Sequence, residues 1–168
     1  MTSARHTVYL GLGSNLGDRE VRLDEAVTRL ARRLEVVQQS SLYETAARYV
    51  TDQPAFLNMV LEAHTSLEPL ALLDFLKEIE HDMGRRPTVR YGPRTIDVDI
   101  LFFDQQALAS ERLTLPHARL AERGFVLVPL HEIAPHWRHP VTGQTVAELL
   151  AALGATDDVV RIAGGTRS

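Results

Sequence analysis

Arg90-Tyr91-Gly92-Pro93-Arg94-Thr95-Ile96-Asp97-Val98-Asp99-Ile100-Leu101-Phe102-Phe103 is the run on which the reading of this chain turns. Gly92-Pro93 punctuates the backbone, and a period-two alternation follows it. In a strand, Ile96, Val98 and Ile100 point to one face while Asp97 and Asp99 point to the other. The two carboxylates then leave the backbone roughly 6–7 Å apart. Carboxylates at that spacing converge on one divalent cation, or hold two ions about 3.5–4 Å apart. Oxygen-only ligands suit Mg²⁺, which keeps waters and shares its shell with substrate phosphates. An edge strand with an acidic outer face is the plain alternative. It is weakened because Asp is depleted in strands and neighbouring like charges repel. Arg90 and Arg94 add the cationic half of a phosphate site, since guanidinium forks match phosphate oxygens.

The 168-residue length accommodates one compact domain with a sizeable core, expected to span 1–168 with a loose tail from about 154. A net charge of −4 gives no support for nucleic-acid binding. The absence of cysteine excludes disulfides, thiolate metal sites and cysteine nucleophiles. Met1 to Thr7 lacks the apolar stretch of a signal peptide, and no later run is long enough for a membrane span, so a cytoplasmic protein is expected. Lys77 is the only lysine among 18 Lys and Arg residues, and it lies in a helical pattern. There is no P-loop lysine, so any nucleotide phosphates must be held by arginine, metal and backbone amides.

Thr7 to Gly13 reads as a buried first strand leading into Ser14-Asn15-Leu16-Gly17-Asp18. Glycines at 11, 13 and 17 miss the dinucleotide-binding spacing, and a turn with close backbone approach is expected instead. Apolar residues from Val21 to Leu34 recur at helical spacing. Glu35 to Tyr43 reads as a second strand, Glu44 to Pro54 as a functional surface loop, and Phe56 to Ala63 as a third strand. On that third strand an aromatic shares a face with an amide, Phe56 with Asn58, a pairing able to bind a flat heterocycle. Pro69 to Met83 is predicted to be a helix, with proline in its first turn and Gly84 past its end. Arg85, Arg86, Arg90 and Arg94 form a positive arm that leads into the acidic strand. Leu113 to His117 is a short extended piece. Phe125 to Leu130 reads as a further apolar strand, and Val146 to Leu153 as a last helix.

Taken together, Gly11-Leu12-Gly13-Ser14-Asn15-Leu16-Gly17, Asp52-Gln53-Pro54-Ala55-Phe56-Leu57-Asn58, Gly92 to Ile100 and Leu115-Pro116-His117 resemble one family in the right order. It is 6-hydroxymethyl-7,8-dihydropterin pyrophosphokinase of folate synthesis, and the similarity runs from about Val8 to about Pro140. The resemblance implies an α/β (α+β) ferredoxin-like sandwich, a mainly antiparallel sheet with helices packed on it. It implies ATP as co-substrate, two Mg²⁺ ions, and transfer of diphosphate to a pterin alcohol with release of AMP. Matched residue by residue, Asp97 and Asp99 are the expected metal ligands, and with Arg90 and Arg94 the expected catalytic residues. Thr45, Phe56, Asn58 and Phe125 are the expected pterin pocket. Glu80, Arg85, Arg90, Tyr91, Arg94, Ile100, Arg112, Thr114, His117 and Arg123 are the expected ATP contacts. The expected partners are ATP and the reduced pterin, with neither nucleic acid nor membrane, and the chain is expected to act as a monomer. Three departures stand out: Ala46 and Ala47 replace two usual prolines, the arginine arm is about a residue short at Arg86, and Tyr91 replaces a frequent tryptophan. Two other classes fit parts of the pattern, a metal-dependent phosphohydrolase and a non-enzymatic ligand sensor. The sensor leaves the Asp pair and the arginine arm without a purpose.

Overall fold

The computed structural model describes residues 5–45, 55–84 and 96–162. The elements in chain order are β1 (His6–Ser14), α1 (Arg19–Leu30), β2 (Glu35–Gln39), β3 (Tyr43–Thr45), β4 (Phe56–Thr65) and α2 (Pro69–Asp82). They continue with β5 (Asp97–Phe103), β6 (Leu108–Ala109), β7 (Thr114–Leu115), α3 (Gly124–Ile133), α4 (Val146–Leu153) and β8 (Val159–Arg161), with a 3₁₀ turn at Leu120–Glu122. The main sheet runs β5-β1-β4-β3-β8, with β2 also pairing β4. Each pairing is antiparallel. Two split βαβ units, β1-α1-β2/β3 and β4-α2-β5, interleave to give this order, which is the expected ferredoxin-like arrangement.

Local signals account for the helix ends. The Asp18 carboxylate accepts from the Val21 amide and caps α1. Pro69 opens α2, and Gly84, at φ +88, follows its end. α1 and α2 bury Leu23, Ala26, Leu30, Leu72, Leu76 and Ile79 against one face of the sheet, where Leu10, Leu12, Ile96, Val98 and Ile100 meet them. α3 and α4 cover part of the other face over Tyr9, Val60, Leu101 and Phe102. The alternation in β5 therefore holds through Ile100 and then breaks. Leu10 pairs Ile100 while Tyr9 pairs Phe102, leaving Leu101 as a bulge. Leu101 and Phe102 both enter the second core, and Phe103 returns to the first.

Three expectations are corrected. Phe125 to Leu130 lies in helix α3, not in a strand. A six-residue apolar run is compatible with either, and the buried set Val126, Leu127, Leu130 and Ile133 has helical spacing. The stretch Glu35 to Tyr43 is two strands. Between them the Ser40 amide still donates to the Val60 carbonyl at 2.8 Å, but Ser40 Oγ accepts from the Val60 amide at 2.9 Å and the Ser41 amide turns to the Glu132 carboxylate, so side chains take over part of the ladder. The tail is not loose from 154 through 162. Val159–Arg161 adds strand β8 to the outer edge of β3, a pairing that three residues cannot advertise without their partner.

Candidate functional site

Thr45, Phe56, Asn58, Asp97 and Asp99 of the expected set lie on the second face of the sheet. Cross-strand partners share a face, and the registers place three rows there. Tyr43, Asn58, Gly13 and Asp97 form one row; Val60, Gly11 and Asp99 form the next; Thr45 and Phe56 form the third. At roughly 4.8 Å per strand, Asn58 and Asp97 are about 10 Å apart with only Gly13 between them. The lane between the amide and the acids is therefore floored by backbone. Gly11 and Gly13 thus lie inside β1 and not in a turn, and the close approach is to side chains. A Cβ on Gly13 would lie 2.8 Å from Asn58 Oδ1, and one on Gly11 would lie 3.4 Å from Leu101 Cδ2. Ser14 and Asn15 beyond them are fully buried.

At the amide end, Asn58 is buried and its Nδ2 donates to Thr45 Oγ1 at 3.0 Å. This bond fixes which way the amide faces and spends one of its two donors. Phe56 pairs Thr45 in the ladder and is half-buried. Phe125 is half-buried in the first turn of α3, and the Arg123 guanidinium lies 5.4 Å from its ring centre. Two residues outside the expected set, Glu132 and Arg19, brace this end. Glu132, on α3, accepts from the Ser41 amide at 2.9 Å, from Ser41 Oγ at 2.8 Å and from the Tyr43 hydroxyl at 2.8 Å. Burial first, and then the Glu132 hydrogen bond and charge, push the Tyr43 phenol up to about 12. Arg19 donates to the Ala55 carbonyl at 2.8 Å and pairs with Glu44 at 2.8 Å, tying together the two sides of segment 46–54. An isolated Glu in an apolar run was the sequence signal for Glu132; Arg19 carried none.

At the acidic end, Asp97 is half-buried and Asp99 exposed, each alternating with a buried aliphatic side chain. Glu80 is 3% exposed and its Oε2 accepts from the Val98 amide, between the two aspartates, at 2.8 Å. Lys77 Nζ lies 3.5 Å from the same carboxylate. The Ile100 side chain is in the helix-side core, so only its main chain is available to a ligand. The His117 amide donates to the Leu101 carbonyl at 3.0 Å, which docks the residue on β5. Its Nδ1 accepts from the Arg119 amide at 3.2 Å, so the neutral ring carries its proton on Nε2. Burial lowers the His117 pKa, the Asp99 charge opposes this, and Arg123 and Arg119 reinforce it. Arg112 pairs with Asp74 of α2, and Thr114 is exposed on β7. Arg85, Arg86, Arg90, Tyr91 and Arg94, like Ala46 and Ala47, lie outside the described residues.

The donor set suits a hard cation. Two carboxylates on one strand supply oxygen only, and among the described residues no third His, Asp or Glu joins them. That leaves coordination positions for phosphate oxygens and water, the normal shell of Mg²⁺.

Residues 9–135 match the family model described as 7,8-dihydro-6-hydroxymethylpterin-pyrophosphokinase. The 2-amino-4-hydroxy-6-hydroxymethyldihydropteridine pyrophosphokinase of Bacillus subtilis is 48% identical over 127 residues, covering 74% of this chain and 76% of that protein. The mitochondrial folate synthesis bifunctional protein of Arabidopsis thaliana is 49% identical over 133 residues, covering 78% of this chain and 24% of that one. The chain thus spans about a quarter of the length of the bifunctional plant relative. The crystal structure of Plasmodium falciparum HPPK-DHPS with pteroate superposes with a TM-score of 0.72 at 18% identity, over 90% of this chain and 43% of that one, which speaks to the fold alone. With most of its length matched by the family model and by the Bacillus relative, the chain belongs to the 7,8-dihydro-6-hydroxymethylpterin-pyrophosphokinase family.

Proposed function

We propose that this chain transfers diphosphate from ATP to the hydroxymethyl oxygen of 6-hydroxymethyl-7,8-dihydropterin, as an ATP-dependent diphosphotransferase of folate synthesis. The observation that carries the reading is the glycine-floored lane between the Thr45–Asn58 pair and the Asp97–Asp99 pair. A flat heterocycle bound at the amide end would direct its substituent along the lane toward the acids. Phe56 and Phe125 supply the apolar surfaces on either side of that heterocycle. The remaining amide donor and acceptor of Asn58 read its polar edge.

In the reaction the pterin alcohol oxygen bonds to the β-phosphorus, and the bridging bond between α- and β-phosphates breaks. AMP leaves with those electrons, and the hydroxyl proton passes to water. Asp97 and Asp99 would hold two Mg²⁺ ions, which would supply neutralisation of the phosphate charge. Glu80 positions this pair by holding the Val98 amide between them. Neutral His117 donates from Nε2 to a phosphate oxygen, while Arg112, Thr114 and Arg123 line the nucleotide side and Ile100 contributes main chain. Arg85, Arg90, Tyr91 and Arg94 complete that side, Arg90 and Arg94 countering charge on the transferred group. The chain acts as one monomeric domain on small molecules in the cytoplasm. None of the helices among the described residues is long and apolar enough to cross a membrane.

The test is ATP with Mg²⁺, with and without the reduced pterin, scoring AMP. The reading requires AMP that depends on both metal and pterin. AMP formed equally without pterin would make the protein a phosphohydrolase, and metal-independent binding without turnover would make it a sensor.

A further inference from the structure

Thr45 and Phe125 lie on different elements, β3 and α3, and a single C-terminal segment touches the neighbourhood of both. Val159 is the ladder partner of Thr45, so its side chain lies on the same face of the sheet. There it meets the start of α3. A Cβ built on Gly124 would sit 3.4 Å from Val159 Cγ2 and 3.3 Å from Thr156 Cγ2. Gly124 immediately precedes Phe125, and its lack of a side chain is what lets the segment pack so closely. The other end of β8 is fastened as well. The Ile162 amide donates to the Leu42 carbonyl at 3.0 Å, and Arg161 partners Tyr43 in the ladder. The β3 strand is only three residues long, and residue 45 is its last. Without β8, that end of β3 would be held from one side only. The segment lies outside residues 9–135, the span matched to the family.

We propose that β8 is a positioning element for the pterin end of the site, setting the separation of Thr45 from Phe125. The C-terminal segment would then govern affinity for the heterocycle and leave the nucleotide side, on β5 and the His117–Arg123 segment, untouched. This inference rests on the functional reading above. The competing account is that β8 only covers an open sheet edge. In that case its loss would affect both ligands alike, or neither.

Val160 offers a clean perturbation. Amides in an antiparallel ladder face the same neighbour at every second residue, so the Val160 amide faces β3 as the Ile162 amide does. Its side chain is 54% exposed, so little packing is lost on substitution. In the full-length protein, Val160→Pro removes that donor and Val160→Ala retains it. Val159→Ala trims the contact with Gly124 and stands in should the proline variant fail to fold. Calorimetric titration would follow a non-hydrolysable ATP analogue alone, and then the reduced pterin in the presence of that analogue. The expected result is a pterin Kd raised about tenfold in Val160→Pro and about threefold in Val159→Ala, losses in the range of one backbone hydrogen bond or a buried methyl pair. Val160→Ala should match wild type, and the analogue Kd should stay within about twofold throughout. Unchanged pterin binding in Val159→Ala or a folded Val160→Pro, or equal losses for both ligands, would overturn the inference. A wild-type protein that binds the analogue but no pterin would overturn the functional reading and this inference with it.

Discussion

Gly13 and Asn58 meet across the β1–β4 ladder so closely that a Cβ on residue 13 would lie 2.8 Å from Asn58 Oδ1. The glycine is thus required by an amide two strands away from the acidic pair, on the same face. Gly13→Ala should displace the Asn58 side chain and lengthen its bond to Thr45. Because the obstructing atom ends a side chain that can shift, the stability cost should sit near the low end of overpacking, about 1 kcal/mol. Pterin binding should weaken about fivefold, the equivalent of one neutral hydrogen bond, with ATP binding unchanged. Titration of both ligands, with urea denaturation alongside, checks this. Intact pterin affinity would show that Asn58 does not read the ligand.

Asp97 and Asp99 alternate with the buried Val98 and Ile100, so their carboxylates can be altered without touching the core. Asp97→Asn and Asp99→Asn should each lower kcat at least about a hundredfold, since metal stabilisation of transferred charge is worth several kcal/mol. Stability should stay within about 0.5 kcal/mol of wild type. Steady-state AMP production across a Mg²⁺ series tests the pair. Near-normal turnover at ordinary Mg²⁺ in either variant would remove it from the metal site.

Glu132 receives three donors, two from Ser41 in the β2–β3 connection and one from the Tyr43 hydroxyl. Glu132→Ala should cost about 3 kcal/mol, because hydrogen bonds to a charged group are strong and the Ser41 amide is left behind. Glu132→Gln should cost roughly half of that, keeping one acceptor oxygen. A separate readout comes from Tyr43. With the carboxylate charge removed, its phenol should titrate below the present value of about 12 and closer to 10.0. Ultraviolet titration of Glu132→Gln that leaves this tyrosine where it was would contradict the clamp.

His6 sits between two carboxylates, with Nδ1 2.7 Å from Asp104 and Nε2 2.7 Å from Glu68. Burial works against the charged ring, but the hydrogen bonds and charges of Asp104 and Glu68 outweigh it and raise the pKa above 6.5. The folded state therefore binds this proton more tightly than the unfolded chain does. Its stabilisation is fully present below 6.5 and is lost as pH rises through the higher folded-state value. His117 and His139 are shifted downward and act in the opposite sense. The informative quantity is the difference between wild type and His6→Gln, from urea unfolding at acidic and alkaline pH. That difference should be larger on the acidic side, and a pH-independent difference would contradict the assignment.

Periodicity and punctuation carried the local part of the fold. The Ile96-Val98-Ile100 alternation placed two aspartates opposite a buried face, because a strand forces successive side chains apart whatever lies around it. Pro69 and Gly84 bounded α2 for equally local reasons. The ordered motifs from Gly11 to His117 were enough to name the family, since each is a contiguous string. Tertiary structure decided the rest. The run Phe125–Leu130 is apolar on every side, so only the surfaces it packs between make it a helix. Val159–Arg161 becomes a strand because β3 offers an open edge. The Gly13–Asn58 approach and the Glu132 clamp on Ser41 and Tyr43 join residues 45 and about 90 positions apart. A contact at that separation leaves no periodic trace in either partner, because its energy depends on where the whole sheet and α3 bring the two atoms.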